Sequence, residues 1–256
     1  MNPMDLTGKT VVVTGAAQGI GKATVELVVK LGGNAIAVDL NGDGMRESLA
    51  QVEQEKIMIA PGNVVDAAFC RQTVAQGIER FGSIEGLVNN AGIVRAALLE
   101  KMTLEQWNEV IAVHLTGSFM WTQAVGIHML ERARAGSTNP GSIINISSDA
   151  GRKGSFGQAN YAAAKSGMFG LTMTAAKEWG KHRIRANSVC FGVVETPMTE
   201  TIRGEKFRDR TLANITLGYY ASPNEVVKTV CFLLSDAASY ITGQQFSVNG
   251  GNHISV

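Results

Sequence analysis

Cysteine is scarce in this 256-residue chain: Cys70, Cys190 and Cys231 are an odd number and show no C-x-x-C spacing. Neither a disulfide framework nor a cysteine-built metal site is supported, and a reducing compartment fits best. Histidine is equally sparse, with His114, His128, His182 and His253 scattered at no ligand-like spacing, so no metal is expected. A charge excess of either sign is missing too. The 23 basic and 22 acidic residues interleave and leave a net charge of +1, which gives no field to steer nucleic acid or an anionic membrane. No run reaches the roughly 18 uninterrupted apolar residues of a membrane span. The opening M-N-P-M-D-L-T-G-K-T has no basic segment followed by an apolar run. The expectation is a cytoplasmic protein that works on a small molecule, with neither nucleic acid nor membrane as a partner.

What the chain does have is apolar material, 45% of its residues, enough for a large core. Short runs rich in valine and isoleucine recur at residues 10–13, 34–38, 56–59, 84–88, 142–146, 184–189 and 245–248, each bounded by Gly, Asp or Asn. Such runs suit strands covered on both faces. Between them lie segments with helical spacing, including residues 20–31 and 66–81. Thr103-Leu104-Glu105-Gln106 opens another with a Thr-x-x-Gln cap, and Ser222-Pro223-Asn224-Glu225 starts a late one. The alternation predicts an α/β fold: one doubly wound parallel sheet of about seven strands with helices on both faces. No repeat or linker divides residues 1–256, so a single domain is expected. Residues 195–220 stand apart, polar and carrying Arg203, Lys206, Arg208, Asp209 and Arg210. They read either as a solvated excursion or as a mobile lid over a site.

Glycines mark the first strand-to-helix turn, T-G-A-A-Q-G-I-G, where Gly15, Gln18, Gly19, Ile20 and Gly21 fall. Glycine there lets the backbone approach a ligand, and the positive end of the helix attracts a pyrophosphate. The spacing is neither G-x-G-x-x-G nor a lysine-bearing phosphate loop, and a plain tight turn is the competing reading. The second strand ends in A-I-A-V-D-L, with Asp39 and Leu40 about 20 residues past the glycines. A carboxylate there can accept from ribose hydroxyls and repel an added phosphate, which favours NAD over NADP; alternatively Asp39 only closes a turn. N-N-A-G places Asn90, Ala91 and Gly92 after the fourth strand.

The stretch N-Y-A-A-A-K-S-G sets Tyr161 and Lys165 four positions apart, on one helix face about a turn apart. Thirteen residues before Tyr161, I-N-I-S-S-D-A-G presents Ser148 at a strand end. Together with T-G-A-A-Q-G-I-G, N-N-A-G and the closing I-T-G-Q-Q-F-S-V-N-G-G, these motifs resemble the short-chain dehydrogenase/reductase family in order and over essentially the whole chain. The resemblance implies a Rossmann-type fold and catalytic roles for three residues. Ser148 would hold the substrate oxygen, Tyr161 would exchange a proton with it, and Lys165 would bind the nicotinamide ribose and ease ionisation of the tyrosine. Lowering a phenol from about 10 to near 7 needs roughly 4 kcal/mol, which an ammonium and a positive nicotinamide ring could supply. The resemblance also implies cofactor contacts at Asn63 and Val64, at Asn90, Ala91 and Gly92, and at Gly192, Val194 and Thr196.

Two positions depart from the family pattern. Phe191 replaces the usual proline before Gly192, removing a turn constraint. His114 stands where the family tends to carry an asparagine that links the lysine to solvent through water. An imidazole could keep such a relay, or be a buried histidine satisfied by backbone.

The leading expectation is an NAD-dependent secondary alcohol dehydrogenase or ketone reductase with Tyr161 as acid/base. The alternative is a 3-oxoacyl or 3-hydroxyacyl thioester reductase/dehydrogenase, since the overall pattern is most similar to the 3-oxoacyl-acyl carrier protein reductase branch. That branch often uses NADP. Arg132, Arg134 or the lid arginines would then meet a phosphorylated carrier, unless they are merely solvated. A non-catalytic NAD-binding module is a third reading. Family members are commonly homotetramers, and Met120, Trp121, Met168, Phe169 and Trp179 suit either such packing or an ordinary core.

Overall fold

A computed structural model of the chain describes residues 2–254. Seven strands form one parallel sheet in the order β3-β2-β1-β4-β5-β6-β7. They are β1 (Thr10–Thr14), β2 (Asn34–Asp39), β3 (Ile57–Pro61), β4 (Gly86–Asn89), β5 (Gly141–Ser148), β6 (Ile184–Phe191) and β7 (Gln245–Val248). Helices α1 (Gly19–Lys30), α2 (Gly42–Ser48), α3 (Ala67–Phe81), α4 (Leu104–Ile111), α5 (Gly117–Arg134), α6 (Ala150–Lys153), α7 (Ala159–Trp179), α8 (Glu200–Arg203), α9 (Glu205–Ala213) and α10 (Pro223–Leu234) supply the connections.

The strands sort their side chains by the two-residue period of the pleat. Val11 and Val13 of β1 join Ala35 and Ala37 of β2, Ile144 and Ile146 of β5, Val28 of α1 and Val230 of α10 in one cluster. Val12, Ile36, Val38 and Ile143 point the other way and pack with Val74 of α3, Trp121 and Val125 of α5 and Ala175 of α7. Two faces are thus covered, as the near-continuous apolar strands require. β1 pairs with both β2 and β4, so the strand order reverses there and a crevice opens at the carboxyl ends of the strands.

The expected caps form. Thr103 and Gln106 exchange hydrogen bonds at the start of α4, and Ser222 and Glu225 do so at α10 with Pro223 in its first turn. Elsewhere the chain differs from expectation. Residues 112–116 are π-helical, so α4 and α5 run on as one helical stretch, Leu104–Arg134. By length and composition that stretch would suffice to cross a membrane, yet its face carrying Trp121, Val125 and Met129 is buried against the sheet. Trp121 and Met168 are core residues, while Met120, Phe169 and Trp179 are half-buried. Residues 195–220 hold α8 and α9, neither of which buries a residue, because E-K-F-R-D-R-T-L-A has too few apolar positions for a core face.

Arg132 does not serve as a docking residue. It ends α5 at the amino edge of the sheet, opposite the crevice, where its guanidinium lies 2.8 Å from the Glu85 carboxylate and donates to the Pro140 carbonyl at 2.6 Å. Glu85 is buried and also accepts from the Thr10 backbone N–H at 2.8 Å and from the Ser83 hydroxyl. Removing one partner of such a pair leaves the other groups desolvated and unpaired. Glu85→Ala should therefore cost about 3 kcal/mol in urea unfolding. A loss under about 1 kcal/mol would mean that the pair is effectively solvated.

Candidate active site

The crevice at the carboxyl edge is a cleft of about 840 Å³, its open mouth included, into which most of the predicted residues converge. One side is the glycine turn. Gly15 and Gly19 have φ of +69° and +55°, so both occupy the left-handed region that favours glycine. A Cβ on Gly15 would sit 2.8 Å from the Cα of Ala91, and one on Gly21 would collide with the carbonyl of Gly15. The two turns are clasped: Asn90 Nδ2 donates to the carbonyls of Thr14 (2.9 Å) and Gly15 (3.1 Å). The Thr14 hydroxyl accepts from the N–H groups of Asn90 and Ala91, both at 3.0 Å. Glycine is required here to let two strand ends meet.

The same turn fits a dinucleotide phosphate. Gln18 occupies the N-cap of α1 without a side-chain hydrogen bond to the helix, and no acid lies in the first turn. The first-turn N–H groups and the positive helix end thus face the cleft beside Gly15 and Gly19. Asp39 lines the cleft too. Its carboxylate oxygens accept from the backbone N–H groups of Ala17 (3.1 Å) and Asn41 (3.0 Å), which closes the turn and aims the carboxylate along the crevice. The turn-closing reading of Asp39 is thus what these hydrogen bonds show, and each oxygen keeps a lone pair for a further donor. Leu40 projects into solvent at 73% exposure.

Not every expected contact reaches the cleft. Gln18, Ile20, Asn90, Gly92, Gly192, Val194 and Thr196 line it, whereas Gly21 and Ala91 shape the turns from behind. Asn63 and Val64 lie outside its walls: Asn63 Oδ1 accepts from the Val65 N–H, and Val64 is buried. Pro197, Met198 and Thr199 line it as well, at the foot of the polar excursion, where no motif marks them. Phe191 extends β6 to pair with Ser148 and Val248. Its carbonyl accepts from the N–H of Asp149, so the residue after Ser148 is held by the sheet where a proline turn was expected.

Ser148, Tyr161 and Lys165 meet across β5 and α7, as expected. Lys165 is 4% exposed; its Nζ donates to the carbonyl of Ile146 at 2.6 Å and stands 5.6 Å from the centroid of the Tyr161 ring. Asn160, fully buried, donates to the carbonyls of Arg95 (3.0 Å) and Gln106 (2.9 Å), while its Oδ1 accepts from the Tyr161 N–H. This asparagine, adjacent to the tyrosine in sequence, anchors the start of α7 and was not singled out in the sequence.

Without a dinucleotide, the protein's own groups do not lower the Tyr161 phenol. Burial raises the Tyr161 phenol above its ordinary range, and the Ser148 hydrogen bond only opposes this. Burial also pulls Lys165 down to about 7. A lysine that itself resists its charge cannot on its own drive the tyrosine to ionise. His114, also in the cleft wall, is pulled down to about 3 by burial and then by the charge of Lys165, so its ring is neutral at ordinary pH. Among the described residues, no three His, Cys, Asp or Glu side chains gather as a metal site.

The lowered Lys165 has a measurable consequence. Between about 7 and 10.5 the unfolded chain binds a proton that the folded chain does not, so the stability penalty is full below pH 7 and fades as pH rises to 10.5. Lys165→Met should stabilise the fold at pH 6–7 by on the order of 2 kcal/mol, with the gain shrinking toward pH 10 in denaturant titrations. A gain independent of pH would contradict the burial argument.

Residues 15–253 match the family described as enoyl-(acyl carrier protein) reductase. A 3-oxoacyl-[acyl-carrier-protein] reductase FabG of Thermotoga maritima is 42% identical, with 97% of this chain and 99% of that protein covered. A (3R)-3-hydroxyacyl-CoA dehydrogenase of Canis lupus familiaris is 38% identical over 98% of both chains. Among solved structures, a short-chain dehydrogenase/reductase of Brucella melitensis, titled glucose/ribitol dehydrogenase, superimposes with a TM-score of 0.90 at 30% identity, covering 98% of this chain and 99% of that one. A putative short-chain alcohol dehydrogenase of Sinorhizobium meliloti has the same score and identity, with 98% of each chain covered. With its seven-stranded parallel sheet and its Ser148, Tyr161 and Lys165 gathered at one crevice, the chain belongs to the short-chain dehydrogenase/reductase family of oxidoreductases, in the branch of the 3-oxoacyl-acyl carrier protein reductases.

Proposed function

We propose that the protein interconverts 3-oxoacyl and 3-hydroxyacyl thioesters with a nicotinamide dinucleotide. The observation that carries this reading is the convergence of Ser148, Tyr161 and Lys165 in a cleft whose other wall is an uncapped helix N-terminus. Relatives named for thioester substrates, similar over nearly the whole chain, set the substrate class ahead of simple ketones. The nicotinamide, when bound, supplies or accepts the hydride.

The chain's own residues do the rest. Ser148, at the end of β5, holds the substrate oxygen by its hydroxyl. Tyr161 gives a proton to that oxygen in reduction and takes it back in oxidation, with Ser148 opposing the burial-driven rise of its phenol. For reduction the raised phenol is suited to its task, because it is held protonated as the acid. Lys165, fixed by Ile146, presents its ammonium to the face of the Tyr161 ring and would bind the ribose once a dinucleotide is bound. The glycine turn and the start of α1 receive the pyrophosphate. Residues 195–220 act as a lid: Thr196 and Thr199 line the cleft, and Arg203 ties that first turn by donating to the Thr199 hydroxyl and the Thr196 carbonyl, both at 3.1 Å.

Asp39 supports NAD over NADP, since its carboxylate stands where an added ribose phosphate would be repelled. The same carboxylate and the likeness to a putative alcohol dehydrogenase support a second reading, oxidation of small secondary alcohols.

Turnover of acetoacetyl-CoA at a kcat/KM at least about 100-fold above that on cyclohexanone is expected, and the reverse order would favour the second reading. Tyr161→Phe should retain dinucleotide binding in calorimetry while kcat falls about 1000-fold; retained turnover would remove the tyrosine from the mechanism. Asp39→Ala should shift the NAD/NADP ratio of kcat/KM toward NADP by about 10-fold or more, and an unmoved ratio would detach Asp39 from cofactor choice.

A further inference from the structure

His114 touches three parts of the site at once. It lies in the π-helical segment Ala112–Thr116, inserted between α4 and α5, and is 2% exposed. One nitrogen, Nε2, is 2.8 Å from the carbonyl oxygen and 3.0 Å from the backbone nitrogen of Ile93, the residue after the N-N-A-G turn. The Cε1 edge of the ring fills the space that a Cβ on Gly92 would need, with Nδ1 at 2.9 Å from that position. On its other side the ring meets Tyr161 edge-on, with centroids 5.1 Å apart and planes at 85°. The next residue, Leu115, fills the corresponding space at Gly167, two positions after Lys165, where a Cβ would approach Leu115 Cδ2 at 2.8 Å. The π segment is thus keyed into the cofactor-side turn and twice into α7, and extra residues in a helical turn are a recurrent device at functional sites.

These contacts argue against proton relay. A neutral imidazole has one N–H, and Nε2 spends its capacity on a single backbone residue whose carbonyl cannot carry a proton onward. Among the described residues no group hydrogen-bonds to Nδ1. The ring stays neutral because burial and the Lys165 charge both oppose protonation.

We infer that His114 is a positioning residue: an uncharged wedge that transmits the placement of the Asn90-Ala91-Gly92 turn to the ring of Tyr161. The glycine of N-N-A-G is then required here because the imidazole occupies its side-chain space. The inference rests on the proposed function only for its kinetic reading, since the steric coupling exists in the folded protein without substrate.

A double-mutant cycle on the full chain tests it, with His114→Asn, Gly92→Ala and the combination measured for melting temperature, kcat and KM on acetoacetyl-CoA. His114→Asn, which inserts the smaller side chain, should lower kcat about 10-fold or more with KM within about 3-fold, since a misplaced catalytic group costs turnover more than binding. Gly92→Ala should lower both melting temperature and kcat in the parent, and cost clearly less in the His114→Asn background, where room exists for the methyl. If Gly92→Ala does not fold alone, recovery of folded protein in the double variant is the expected result, and failure of both to fold overturns the coupling. Additive losses, or full kcat in His114→Asn, also overturn it. An inactive parent would refute the proposed function, while the melting-temperature cycle would still decide the wedge.

Discussion

The buried ammonium of Lys165, held by one carbonyl under one aromatic ring, is the constraint around which the site is organised. Its hydrogen bond to Ile146 places it at the carboxyl edge of β5, and its ring contact places it under Tyr161. A charge taken out of water is costly unless it is paired, and among the described residues no carboxylate within salt-bridge range offsets this one. The fold bears that cost at the place where proton transfer is proposed, as strained or desolvated groups at functional sites commonly do. Tyr161 meets the same desolvation from the opposite sign. Both members of the pair therefore resist charge in the protein by itself, and an anion or cation brought into the cleft changes the balance for both.

The remaining architecture serves to hold that pair against a second surface. The clasp of Thr14, Gly15 and Asn90 joins the ends of β1 and β4 at the point where strand order reverses, which is where the crevice opens. Asn160 fixes the start of α7 to the segment after the N-N-A-G turn through Arg95, and to α4 through Gln106. His114 bridges the same two regions from the π segment. Turn, π segment and catalytic helix form one mechanical unit, so a change on the dinucleotide side has a direct path to the phenol. The polar excursion, by contrast, buries nothing of α8 or α9 and is joined to the body at its feet, by the N–H of Glu195 to the carbonyl of Ala221 and by that of Leu217 to Gly250. Few buried contacts make it the least stable part of the cleft wall.

Much of this was legible in the residues. The alternating clusters of the sheet follow from strands that are apolar on both faces, and the caps at Thr103 and Ser222 announce their helices because the side-chain chemistry is local. Ser148, Tyr161 and Lys165 were legible because four weak signals, the glycine turn, N-N-A-G, this set of three and the closing I-T-G-Q-Q-F-S-V-N-G-G, fell in register. What escaped depended on backbone or on distant partners. The anchor of Lys165 is a carbonyl, which any residue at 146 would supply. The commitment of Arg132 to Glu85 joins positions 47 apart, and nothing local to the basic end of α5 reveals it. The π-helical turn at His114 packs against Gly92 and Gly167, partners distant in the chain that no local motif announces. The raised Tyr161 phenol of the protein alone follows from burial, which a cation four residues away in sequence does not reveal.

Ultraviolet difference titration of Tyr161, read as the parent chain minus Tyr161→Phe with and without saturating oxidised dinucleotide, tests this balance most directly. The account predicts a phenol that ionises above the usual value of about 10 in the protein alone and at least about one unit lower once the positively charged pyridinium ring is bound beside it. A phenol already acidic in the protein alone, or one whose ionisation the dinucleotide leaves unmoved, would contradict it.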